Sequence, residues 1–135
     1  MSDAFAAGEF PIHREGFGRD LVNGFVSDDF GIDLREYSVR GDAGVGWVVT
    51  HIPTGGTLGL ILDSREEAEF VVEQCVALAP TKNFWHDKRR WQFGVAPNER
   101  SATCLQMRAI GEIVRNNLRV RQQWRLTDSE VVQAQ

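Results

Sequence analysis

The chain is short of almost everything that announces a chemistry. Its 135 residues include two cysteines, three histidines, two methionines and one tyrosine. Cys75, Cys104, His13, His51 and His86 stand far apart, and no pair has the short spacing of a zinc motif, so no metal is expected. There is no Walker loop and no glycine-rich nucleophile elbow. Gly16-Phe17-Gly18 lacks the third glycine of a dinucleotide loop, so no cofactor is expected either. Long apolar runs are missing too. Leu58–Leu62, for one, is interrupted by Gly59 and falls far short of the ~20 residues that span a bilayer. The opening Met-Ser-Asp-Ala-Phe-Ala-Ala-Gly has neither the basic start nor the apolar stretch of a secretion signal. These absences point to a cytoplasmic protein with free thiols and no membrane contact.

What the chain does have is charge sorted along its length. Residues 1–79 carry 14 of the 19 acidic side chains and only five arginines, whereas residues 80–125 carry ten Lys and Arg against Asp87, Glu99 and Glu112. The net charge of −4 conceals this split. Segregated charge creates local fields that steer partners even when the total is small. Hydrophobic content of 42% and charged content of 25% are ordinary for a globular protein. One domain over 1–135 is expected, loosely ordered at about 1–8 and 127–135.

Residues Arg35–Arg40, Gly46–Ile52 and Thr57–Leu62 read as three strands joined by Gly41–Gly44 and Pro53–Gly56, whose glycines and proline suit turns. A helix then starts at Asp63-Ser64, with Glu67 three residues after Ser64 as a capping box. Its apolar stripe is Ala68, Val71, Val72, Cys75, Val76 and Ala79, and Pro80 ends it. Thr81–Arg90 reads as a loop and Trp91–Val95 as a short strand. Pro97-Asn98 introduces a second helix, from Glu99 or Ser101 to about Val120. Asp20–Val26 has the spacing of a short helix. The expected architecture is α+β: an antiparallel meander of three or four strands with two main helices packed on one face.

The stretch Trp47-Val48-Val49-Thr50-His51-Ile52-Pro53-Thr54-Gly55, with a strand and Ser64-Arg65-Glu66-Glu67-Ala68 after it, resembles a module in small proteins of phages and integrating conjugative elements. The resemblance covers residues 47–68. It implies a β-hairpin followed by a helix and carries no catalytic residue. Some small phage proteins of this size bind and block host defence or transcription machinery, which associates such a role with this chain.

The segment Lys82–Phe93 interleaves aromatics with bases. Trp85, His86, Lys88, Arg89 and Arg90, together with Arg115 and Arg119 of the second helix, are candidate partner-binding residues. Trp85 and Trp91 read equally as core side chains flanking a solvated turn. Glu66, Glu69 and Glu73 form a carboxylate row suited to a basic partner, and equally a solvated helix face. His51, beside a turn, reads as a surface or hydrogen-bonded histidine. Cys75 reads as a small core hydrophobe.

The leading expectation is a non-enzymatic protein-binding accessory or inhibitory protein of a phage or mobile element, acting on a host protein or complex such as defence machinery. Opposite charges also permit a homodimer. Two alternatives remain open. One is nucleic-acid binding through the basic 82–125 segment, with aromatic stacking. The other is a small enzyme using Cys104 with His86 as base.

Overall fold

Alternating branched and aromatic residues extend much further toward the N-terminus than the local signals indicate. The computed structural model describes residues 5–14, 17–39, 41–94 and 101–134, with backbone alone for 38, 39, 42 and 125–134. Five strands follow one another: β1 (Ala6–Arg14), β2 (Gly18–Ser27), β3 (Phe30–Val39), β4 (Asp42–His51) and β5 (Gly56–Leu62). They form one sheet in the order β1-β2-β3-β4-β5, every neighbour antiparallel. Two helices follow, α1 (Arg65–Ala77) and α2 (Ala102–Ala134). The α+β class and the meander hold, with five strands in place of three or four.

The extra strands come from the N-terminal region, where a helix over Asp20–Val26 was expected. Leu21, Val22, Phe25 and Val26 do repeat at helical spacing. However, β2 pairs along the whole of β1, from Ala6–Val26 to Arg14–Gly18, and this ladder overrides the local periodicity. Against β3, by contrast, β2 pairs only through Phe25–Ile32, Val26–Gly31 and Ser27–Phe30. At Gly24 the strands cross so closely that any side chain there would run into the Ile32 carbonyl. The β1–β2 hairpin then folds over the sheet face opposite the helices. Phe10 lies on Gly31, and the His13 N–H donates to the Gly55 carbonyl at 2.9 Å, tying the hairpin to the β4–β5 turn. Beneath this lid Asp33 is buried, and Arg35 grips its carboxylate with two bonds of 2.7 and 3.1 Å. Such a forked pair satisfies a carboxylate that would otherwise be costly to bury.

The other face holds the main core. Phe30 and Ile32 of β3, Val49 of β4 and Leu62 of β5 pack under Ala68, Val71, Val72 and Cys75 of α1. α1 begins as the capping motif requires, with Ser64 Oγ accepting from the Glu67 N–H at 3.2 Å. The Glu67 carboxylate returns the bond to the Asp63 N–H at 3.3 Å, one residue earlier than a standard capping box. Val76, expected on the buried stripe, is exposed, because it lies one position round the helix from Cys75.

α2 runs antiparallel to α1: Asn117 Nδ2 donates to Gln74 Oε1, and four residues on, the Arg121 guanidinium lies over Phe70. Its start at Ala102 is capped by Ser101 Oγ, which accepts from the Cys104 N–H at 3.0 Å. Of the two expected starts, Ser101 agrees with this cap, and Glu99 lies outside the described residues. The helix does not stop near Val120 but continues to Ala134. At 33 residues against 13 it is about 50 Å long against about 20 Å for α1, so its last turns outrun its partner. The strand expected at Trp91–Val95 is replaced by an isolated bridge at Gln92 and a turn at Phe93-Gly94, with Val95 outside the described residues.

The lid depends on a residue with no side chain. A Cβ at Gly31 would stand 2.6 Å from the Phe10 ring. Gly31→Ala is expected to lower stability by about 1–3 kcal/mol through overpacking, and Phe10→Leu in the same chain to recover part of the loss. Urea unfolding of both variants and the double mutant measures the coupling.

Candidate functional site

Loop 80–94 has almost no backbone ladder, yet it is fixed by side chains that satisfy carbonyls. Pro80 cannot continue α1, which leaves the last carbonyls of that helix without intrahelical donors. The Cys75 carbonyl receives the Trp85 indole N–H at 2.8 Å, and the Trp91 indole N–H donates to the Phe84 carbonyl at 2.7 Å. A 3₁₀ turn, Phe84–His86, places both phenyl and indole rings inside the core. Here His51 of β4 is 1% exposed, with its imidazole among Phe30, Trp85 and Trp91 at centroid distances of 5.6, 5.2 and 4.6 Å.

The protonation of His51 follows from its neighbours. Nε2 sits 2.6 Å from the Trp85 carbonyl, an acceptor, so Nε2 carries the hydrogen and donates. Nδ1, 3.1 Å from Thr54 Oγ1, is then the bare nitrogen, and the single hydroxyl hydrogen of Thr54 is shared between it and the His51 carbonyl at 3.2 Å. Burial holds the imidazole below its ordinary pKa, partly opposed by the bond to Trp85 and by Asp29. His51 is thus a neutral bridge between sheet and loop.

Trp85, expected to anchor a partner, is 5% exposed and committed to this cluster; its ring is not available for stacking on a base. Trp91 is buried as well. His86 is exposed but turns toward the β2–β3 connection, with Nδ1 3.1 Å from Asp29 Oδ2. Arg89 and Arg90 converge on one carboxylate, Asp87, at 3.1 and 3.4 Å. The Arg89 side chain, with its backbone N–H, holds the Asp87 carboxyl down at about 2. Lys88 is exposed beside them. The basic loop is therefore partly neutralised within itself.

On α1, Glu69 pairs with Arg65 at 3.1 Å, while Glu66 and Glu73 are exposed. Arg65 also lies over the Phe25 ring, 3.5 Å from its centroid. Arg14–Asp20 and Arg35–Asp33 are further pairs inside the acidic half. Of these ion pairs, His86–Asp29 alone joins the two halves.

α2 carries an exposed apolar stripe and a flank of arginines. Ile110, Val114 and Leu118 face the core. One flank of the helix presents Ile113, Val120 and Trp124, at 42, 50 and 66% exposure. The opposite flank carries exposed Arg108, Arg115 and Arg119, none of them ion-paired among the described residues. Between α2 and β5 lies a cleft of about 530 Å³, and Trp85 and Arg115 meet in its lining, whereas Arg119 lies outside it. Trp124 and this cleft escaped the sequence reading. The exposed stripe was legible in the spacing of residues 113, 120 and 124.

Cys75 and Cys104 both line the cleft. Burial pushes the Cys75 thiol up to about 12, which keeps it protonated and unreactive. His86 is not part of that lining. Among the described residues no group of three or more His, Cys, Asp and Glu is placed to hold a metal ion, and no helix is long and apolar enough to cross a membrane. No family model, curated protein or solved structure matches this chain.

The buried imidazole links stability to pH. Because its folded pKa lies below 6.5, the contribution of His51 is complete above pH 6.5. Below that pH the unfolded chain takes up a proton that the folded chain refuses, so stability falls, by at most about 1.4 kcal/mol per pH unit. Urea unfolding between pH 7.5 and 5.5 is expected to show this loss, with a flatter profile in His51→Gln.

Proposed function

We propose that the protein is a non-enzymatic protein-binding module whose contact surface is the exposed side of α2. The observation that carries this reading is the stripe Ile113, Val120 and Trp124, left open on a helix whose opposite flank carries Arg119 without an ion pair among the described residues. Trp and Arg are the side chains that most often dominate binding energy, since they combine large contact area with directional polar groups. The segregated charge supplies steering: a partner with an acidic, partly apolar surface is attracted to the arginines and repelled by α1. The Lys88–Arg90 turn adds to this field, and Trp85 supports it from inside. An accessory or inhibitory role in a phage or mobile element rests on the resemblance at the β4–β5 hairpin alone.

Nucleic-acid binding is the weaker reading, because Trp85 and Trp91, its stacking side chains, are core residues. Pull-down from host lysate followed by titration of the purified partner tests the proposal. A stoichiometric protein partner is expected, with Trp124→Ala weakening it about thirtyfold, as an interface hot spot of about 2 kcal/mol does, while the melting temperature is unchanged. Arg119→Glu is expected to slow association and to reduce its salt dependence. Binding insensitive to both substitutions, or a complex with nucleic acid in place of protein, overturns the reading.

A further inference from the structure

The cleft between β5 and α2 has the features of a small-molecule site. Its volume of about 530 Å³ lies within the roughly 300–1,000 Å³ of small-ligand pockets. Leu58 and Leu60 of β5 face Met107 and Ile110 of α2 across it, with Trp85 and Cys75 below. The chain keeps this space open at a cost. Gly111 occupies the middle of α2, where glycine is unfavourable by roughly 1 kcal/mol relative to alanine. No packing demands it, since a Cβ there would meet no atom within 4 Å. The consequence of its missing side chain is cleft volume.

The rim is polar and charged. Arg108, Glu112 and Arg115 stand along it on α2. A Cβ at Gly59 would lie 3.8 Å from Arg115 Nη2, so this guanidinium crosses the mouth toward β5. Neither arginine is ion-paired among the described residues, and with Glu112 the rim holds one net positive charge. An added peptide strand does not suit this edge. β5 is bulged opposite Val48–Thr50, and Gly59 takes a left-handed φ of 74°, which breaks the row of backbone groups a strand would pair with.

We propose that the cleft binds a small amphipathic monoanion, a medium-chain or aromatic carboxylate whose apolar body lies between Leu60 and Met107 and whose head pairs with Arg115. Guanidinium and carboxylate match as a fork, and Arg108, two turns away, contributes attraction at longer range. This site is separate from the Trp124 stripe, and either can fail without the other.

Decanoate below its micelle concentration is the probe, with the alkylation rate of Cys104, a lining residue, as the readout. Cys75 stays silent because its thiol is buried and protonated. Decanoate is expected to bind saturably and to slow alkylation, with decanol about tenfold weaker for want of the charged hydrogen bond. Arg115→Gln is expected to weaken decanoate about tenfold and to leave decanol unchanged. Gly111→Leu is expected to abolish protection without lowering the melting temperature, and Gly111→Ala to weaken it with a raised melting temperature. Absence of saturable decanoate binding, equal affinity for decanol, or protection that persists in Gly111→Leu overturns the proposal.

Discussion

A single imidazole ties the sheet to the loop that follows α1, and through that loop to the end of the helix. His51 closes β4 and donates from Nε2 to the Trp85 carbonyl at 2.6 Å. Trp85 in turn donates its indole N–H to the Cys75 carbonyl, left without a helical donor where α1 ends. Sheet, loop and helix are thus joined by two consecutive buried hydrogen bonds. Each satisfies a carbonyl that would be costly to leave unpaired away from water. The surrounding edge-to-face rings, Phe30, Phe84 and Trp91, exclude solvent and strengthen those bonds.

The outer surfaces inherit their form from this junction. Because Trp85 points inward, it serves as the base of the cleft beside α2, and the bases that follow it are left on a solvated turn. There Asp87 gathers Arg89 and Arg90, so the loop contributes less free positive charge than its composition implies. Arg108, Arg115 and Arg119, which have no ion pair among the described residues, lie on α2, and the exposed carboxylates Glu66 and Glu73 lie on α1. Most ion pairs among the described residues form between near neighbours in sequence. Where such pairs lie in solvent, as Arg14–Asp20 does, they contribute little to stability.

Legibility in the sequence followed the range of the interactions. The β4–β5 hairpin and α1 are written locally, in Pro53-Thr54-Gly55-Gly56, in Ser64 with Glu67, and in the Ala68–Cys75 stripe. The N-terminal hairpin is not, since Phe10 on Gly31 and His13 on Gly55 are contacts between distant segments, and Leu21–Val26 alone mimics a helix turn. The same holds at the candidate site. Arg115 and Arg119 were readable as exposed bases on a helix. For Trp85 the sequence left core and partner contact both open, because its partners, Cys75 and His51, come from other elements. Gly111 was the one local sign of the cleft: a glycine inside a helix, beside Ile110.

Nitrogen-resolved NMR of the His51 ring tests the account at its centre. The account predicts a neutral ring with hydrogen on Nε2 and a bare Nδ1, slow exchange of that hydrogen with water, and persistence of this state below pH 6.5. A ring that carries its hydrogen on Nδ1, or that titrates as a solvent-exposed histidine does, would contradict it.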